Sequence, residues 1–243
     1  MRSKIVYLIM SLLITFSLTA CTIAKTDAYE DYRCVDYNLT WDKSSSTRFA
    51  RYTDSEDGYQ YTYVKIKGES PDDYIGAFAS ESGFFTTSYR LILASPDMNI
   101  DIWKDWSIKE IELQAELSQE NKGLGGSYYP EEAKRHTIAS SNDNTMIKNT
   151  VSLLSNIIET SKPDNYKRLN PIDQHFYLTI YFNETEHIVW EAKIAIWIPN
   201  DEELDNIACL NILYSHSNGR IEDKYMFIPS TDPLGKFICD SLQ

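Results

Sequence analysis

Between residues 176 and 198 apolar side chains recur at every second position. Phe176, Leu178, Ile180 and Phe182 fall on one face. After residues 183–186, Ile188, Trp190, Ala192, Ile194, Ile196 and Ile198 repeat the pattern. Successive residues of a strand point to opposite faces, so this spacing predicts a hairpin with one buried side. Residues 210–214 and 221–228 predict a second hairpin about Ser217-Asn218-Gly219, residue types suited to a tight turn. Ile111, Leu113, Ala115 and Leu117 alternate with Glu110, Glu112, Gln114 and Glu116, which is a strand with one wet face.

The period changes over residues 144–160. Met146/Ile147, Thr150/Val151, Leu153/Leu154 and Ile157/Ile158 recur every three to four residues, one apolar stripe of a helix. Asn142 or Asp143 can cap it, and Pro163 stops it. Residues 234–242 predict a short closing helix with Phe237, Ile238 and Leu242 inward. In the first half, residues 59–67 are β-branched and aromatic between Gly58 and Gly68. Residues 35–41, 84–94 and 99–103 are further strand candidates, and 42–46 is a turn-rich gap. Ser70-Pro71-Asp72-Asp73 has the cap, proline and first-turn acids of a helix start, with Gly83 as its end. Runs of strands with a few helices read as α+β: a β-rich fold of antiparallel sheet with one principal helix and a short C-terminal one.

The organisation follows. Residues 1–20 read as a signal peptide, 21–33 as a polar tether, and 34–117 as a β-rich part. Residues 118–141, with Gly123, Gly125 and Gly126 and no periodicity, read as a loop or linker. Residues 142–243 form an α+β part, able to share one domain with 34–117.

The leader begins with Arg2 and Lys4, runs fourteen uncharged residues from Ile5 to Leu18, and ends on Ala20 before Cys21. The run reaches roughly 21 Å as a helix, short of the roughly 30 Å of a bilayer core. Leu18-Thr19-Ala20-Cys21 resembles the lipobox of bacterial lipoproteins. The resemblance implies a diacylglyceryl thioether on Cys21, cleavage after Ala20, and retention on the extracytoplasmic side of the cell membrane. Two acyl chains hold a protein at a bilayer firmly where one holds it marginally.

Charge narrows the partners. The chain of 243 residues has 23 basic and 36 acidic side chains, a net −13, and loss of Arg2 and Lys4 with the leader makes it −15. The longest basic runs are the pairs Lys134-Arg135 and Lys167-Arg168, so nucleic acid is excluded as a partner.

The chemistry is sparse. Cys34, Cys209 and Cys239 remain after lipidation; an exported compartment permits one disulfide among them, and the spacing chooses no pairing. No cysteine or histidine spacing suits zinc. His136, His175, His187 and His216 stand apart with no nucleophile elbow. The acidic loops 54–58 and 201–205 lack the ligand spacing of a calcium loop. No cofactor is implied, and no catalytic residue stands out. Exposed aromatics stack on sugars and peptides, which makes Tyr128, Tyr129 and Trp106 the candidate ligand contacts. The sequence therefore favours a non-enzymatic binding module for a peptide, wall component or partner protein. An envelope hydrolase using paired acids such as Glu184 or Glu191 is the alternative, and a structural accessory subunit a third reading.

Overall fold

The computed structural model describes residues 29, 31–41, 46–53, 59–81, 88–116, 135–156, 164–168, 175–200, 205–215 and 221–242. In chain order the strands are β1 (Arg33–Cys34), β2 (Leu39–Trp41), β3 (Ser46–Thr53), β4 (Tyr59–Ile66), β5 (Tyr74–Glu81) and β6 (Ser88–Ala94). A short helix α1 (Ile102–Asp105) precedes β7 (Ile108–Glu116) and β8 (Arg135–Ser141). Then come helix α2 (Asn144–Leu154), β9 (Tyr166–Arg168), β10 (Phe176–Phe182), β11 (Ile188–Pro199), β12 (Ile207–Ser215), β13 (Ile221–Pro229) and helix α3 (Pro233–Ser241). The fold is α+β and β-rich, and every described strand pair is antiparallel.

Strands β1-β6-β5-β4-β3 form one sheet. The other runs β13-β12-β11-β10-β7-β8, and β2 and β9 also pair with β11. The alternation in β10 and β11 dictates their inner face: Leu178, Ile180, Phe182, Ile188, Trp190 and Ile196 are all 2% exposed or less. Lys193 and Ile194 pair with both β10 and β12, so these two strands lie on opposite edges of β11. β11 is long enough to serve four neighbours: β10 then β9 along one edge, β2 then β12 along the other.

Both longer helices pack on the core by their apolar stripes. Asp143 caps α2 by accepting from Thr145 N and Met146 N, and Met146, Thr150 and Leu154 are buried. Asp232 caps α3 by accepting from Leu234 N, Pro233 opens it, and Leu234, Ile238 and Cys239 face in. Asn149 Nδ2 donates to Asp232 Oδ2 at 3.0 Å and ties one helix to the start of the other.

Several elements depart from the expected pattern, each for a physical reason. Residues 74–81 form β5, not a helix. Ser70 to Asp73 do make one helical turn, with Tyr74 N donating to Ser70 O at 2.8 Å, and the chain then extends. Both faces of β5 are covered: Ile75, Ala77 and Ala79 on one side, Tyr74 and Gly76 on the other. A strand buried on both sides shows no period of two. Gly76 is required there, since a Cβ would stand 2.6 Å from Val64 Cγ2 and 2.9 Å from Trp41 Cζ2.

Residues 102–103, the end of the strand expected over 99–103, instead open α1 (Ile102–Asp105). Its Asp101 cap accepts from Trp103 N at 3.2 Å. Residues 135–141, expected in a linker, form β8 on the edge of the large sheet. The end of the expected tether is docked as well. Tyr29 and Tyr32 meet edge to face at 5.1 Å, and Tyr32 OH donates to Pro71 O at 3.0 Å. Both rings cover a second small core of Tyr63, Ile75, Ala77, Ala79, Leu91 and Leu93. Cys34, Cys209 and Cys239 are three free thiols, so the permitted bridge is not formed among the described residues. They lie in separate places: Cys34 against the small core, Cys239 in the main one, and Cys209 on the opposite sheet face from both its strand neighbours Ala208 and Leu210.

Candidate functional site

The inward face of the large sheet is hydrocarbon, so by alternation the outward face holds its polar residues. On β11 these are Glu191 and Lys193, and on β10 Tyr177, Thr179 and Tyr181. The register sets them in rows: Tyr177 opposite Lys193, Lys193 opposite Asn211, and Leu213 opposite Asp223. Such partners have Cβ atoms about 4.5–5.5 Å apart.

One half of this face is closed by its own hydrogen bonds. Glu112 Oε2 accepts from Gln114 Nε2 at 2.7 Å, Thr137 Oγ1 at 3.1 Å and Tyr181 OH at 3.2 Å. Thr179 Oγ1 donates to Gln114 Oε1, and Tyr177 OH donates to Glu116 Oε2 at 2.9 Å. Burial, with Glu112 beside it, pushes the Tyr181 phenol up to about 12, and burial raises Tyr177 further. Both phenols are donors at neutral pH, not bases. The Arg135 guanidinium stacks 3.7 Å over the Tyr177 ring and pairs with both oxygens of Glu191.

The other half opens as a cleft of about 320 Å³. It is lined by Tyr177 of β10, Glu191 and Lys193 of β11, Asn211 and Leu213 of β12 and Asp223 of β13, together with Asn38, Thr40, Tyr89 and Arg90. The cleft exists because β2 and β12 share one edge of β11 without meeting. Asn38 bridges them. Its Oδ1 accepts from Leu213 N at 2.8 Å, its Nδ2 donates to Leu213 O at 3.1 Å, and its carbonyl accepts from Glu191 N at 2.9 Å. The side chain thus does what a strand residue would do. Asp36 Oδ1 accepts from both Asn38 N and Nδ2. Burial raises the Asp36 carboxyl above its ordinary range, and the Asn38 bonds only partly oppose this.

The charges in the cleft are unevenly satisfied. Arg90 Nη1 donates to Trp41 O at 2.9 Å. Among the described residues no opposite charge lies within ion-pair distance of Arg90, Lys193 or Asp223. Thr40 Oγ1 and Asn211 Oδ1 are buried with no hydrogen-bond partner. A buried polar atom left so costs about 1–3 kcal/mol. Among the described residues no histidine or cysteine lines the cleft. Burial pushes the nearby Cys209 thiol up to about 12, so it is no nucleophile at neutral pH. The arrangement is suited to holding a polar molecule by charge and hydrogen bond, with no nucleophile and base in contact.

The candidates from the sequence fall elsewhere. Cys21, Tyr128 and Tyr129 lie outside the described residues. Trp106 is 8% exposed, meets Phe182 at 5.0 Å and Tyr74 at 6.0 Å edge to face, and fills the main core instead of presenting a ring to a ligand. Glu184 accepts from Ser107 N at 2.9 Å and Ser107 Oγ at 2.7 Å, fastening the hairpin turn to the start of β7. Glu191 alone of the named acids lines the cleft, with both oxygens engaged by Arg135. His187 Nε2 lies 3.8 Å from Glu186 on the same turn. Asn38, Thr40, Arg90, Lys193, Asn211 and Asp223 went unnoticed. The one local hint is Glu191 and Lys193, two charges on one side of an otherwise apolar strand. Comparison of the chain with protein-family models, with curated proteins and with solved structures finds no match.

Proposed function

We propose that this chain is a lipid-anchored module of the cell envelope, tethered through Cys21 on the extracytoplasmic side, that works by binding a small ligand and not by catalysis. The observation that carries the binding reading is the cleft, where Arg90, Lys193 and Asp223 stand without ionic partners beside two orphaned acceptors. The anchor rests on the lipobox-like Leu18-Thr19-Ala20-Cys21. It gains a geometric consequence from the docking of Tyr29. Cys21 and Tyr29 are separated by eight peptide steps, no more than roughly 30 Å even at full extension. The small core beneath Tyr29 would therefore ride near the headgroups.

The experiment is twofold. Cells expressing the full chain or Cys21→Ser are fractionated after labelling with a fatty-acid probe. Label in the parent and release of the serine variant are expected; a labelled or membrane-retained serine variant refutes the anchor. The purified domain is then screened by amide NMR against envelope-derived small molecules. Shifts clustered at Lys193, Asn211 and Asp223 support the binding reading. Steady turnover of any compound, abolished by a change in the cleft, would replace it with a hydrolase.

A further inference from the structure

We infer that the cleft takes a zwitterionic α-amino carboxylate, a free amino acid or the end of a short peptide. The inference rests on the binding reading and adds the chemistry of the ligand. Two of the unpaired groups are cations. Arg90 presents a guanidinium with five N–H donors, of which the Nη1 bond to Trp41 O uses one. Lys193 presents three more donors from an exposed stem. Both call for an acceptor with several lone pairs, which a carboxylate supplies.

The next two strands ask for donors. Asp223 is an acceptor only when ionised, and Asn211 Oδ1 is an acceptor without a donor. Asn211 stands directly across from Lys193, and Asp223 across from Leu213 on the next strand. Rotation about a terminal amide torsion, which is broad and soft, turns the Asn211 oxygen toward the opening. An ammonium or amide N–H satisfies both. Acceptors wanted by Arg90 and Lys193 and donors wanted by Asn211 and Asp223, on neighbouring strands of one face, describe a zwitterion.

Long-range charge points the same way. The chain is −13 overall, which repels a dianion before it arrives. A zwitterion has no net charge and meets no such barrier. Size sets the limit on length. About 320 Å³ lies at the small end of ligand pockets, about 300–1,000 Å³, so one or two residues fit and a longer peptide would trail into solvent. Glu191 draws the ammonium less than Asp223 does, because Arg135 bonds both its oxygens and neutralises its charge.

The test titrates the intact domain with dialanine, N-acetyl-dialanine and dialanine amide, read by calorimetry and amide NMR. Dialanine is expected to bind best, and blocking either end to weaken it about tenfold or more. Lys193→Gln and Asp223→Asn are exposed changes that leave the fold's melting temperature in place. Lys193→Gln should weaken dialanine but leave the amide unchanged, and Asp223→Asn should weaken dialanine but leave the N-acetyl form unchanged. Equal binding of all three probes overturns the inference, and so does no binding of any. A neutral sugar such as N-acetylglucosamine is run alongside. Cleft shifts with the sugar alone sink the zwitterion and keep the binding module; no cleft shift with any probe sinks both.

Discussion

Asn38→Ala isolates the device that keeps the cleft open. The side chain is 4% exposed and makes three bonds: Oδ1 from Leu213 N at 2.8 Å, Nδ2 to Leu213 O at 3.1 Å, and Nδ2 to Asp36 Oδ1 at 3.2 Å. Alanine leaves the Leu213 amide and carbonyl without partners. Each orphaned group costs about 1–3 kcal/mol, so the pair costs about 2–5 kcal/mol, the lower end applying if cleft water reaches one of them. That is a large share of a typical total of about 5–15 kcal/mol. For a domain of this size it lowers Tm by roughly 6–15 °C. Urea unfolding followed by tryptophan fluorescence measures the change, since Trp190 lies in the core beside Asp36. Asn38→Asp keeps an acceptor for Leu213 N but loses both donated bonds and sets a second carboxylate beside Asp36. It should be at least as damaging at neutral pH and recover in mild acid. A loss below about 1 kcal/mol for the alanine variant, with unchanged denaturant slope, would refute the bridging role.

Asp36→Asn should leave the domain equally or more stable at neutral pH, because the native carboxyl is raised and the folded state binds its proton more tightly than the unfolded chain. That contribution is fully present below the ordinary value of about 3.9 and is lost as pH rises through the raised native value, so the variant should flatten stability across that window in urea titrations from pH 4 to 8. Gly235→Ala places a Cβ 2.1 Å from Pro229 O and should cost about 3 kcal/mol or more by lifting α3 from the end of β13; calorimetric melting within a degree or two of the parent would count against that packing. Thiol titration of the mature chain bearing Cys21→Ser should find three reactive groups after unfolding without reductant. In the native state Cys209 and Cys239, raised to about 12 and about 11, should label slowly; a single thiol on unfolding would mean a bridge.

The two late hairpins, β7 and α2 were legible because each gathers its aliphatic residues on one side, so that they repeat with the period of the element, even in β10, where Tyr177 and Thr179 on the polar side are buried too. β5 hid for the opposite reason: Tyr74, Gly76 and Phe78 face one core while Ile75, Ala77 and Ala79 face the other. β8 hid because Arg-His-Thr-Ile-Ala-Ser-Ser at a sheet edge has little to bury. Tyr29 and Tyr32 sit in a polar run whose only sign of docking was the tyrosines themselves. The cleft was beyond the sequence. Asn38, Thr40, Arg90, Lys193, Asn211 and Asp223 lie on five strands or their flanks and share no motif. Only strand register and the gap between β2 and β12 make them neighbours.

A ribosome delivers this chain amino end first, yet Trp41 finds its strand partner in Ile188, nearly 150 residues later. The early segment must wait unpaired until the start of β11 arrives, and only then can either sheet seat against the other. Completion is therefore a late, nearly simultaneous event. A truncation before β11 should give an insoluble product and not a smaller domain.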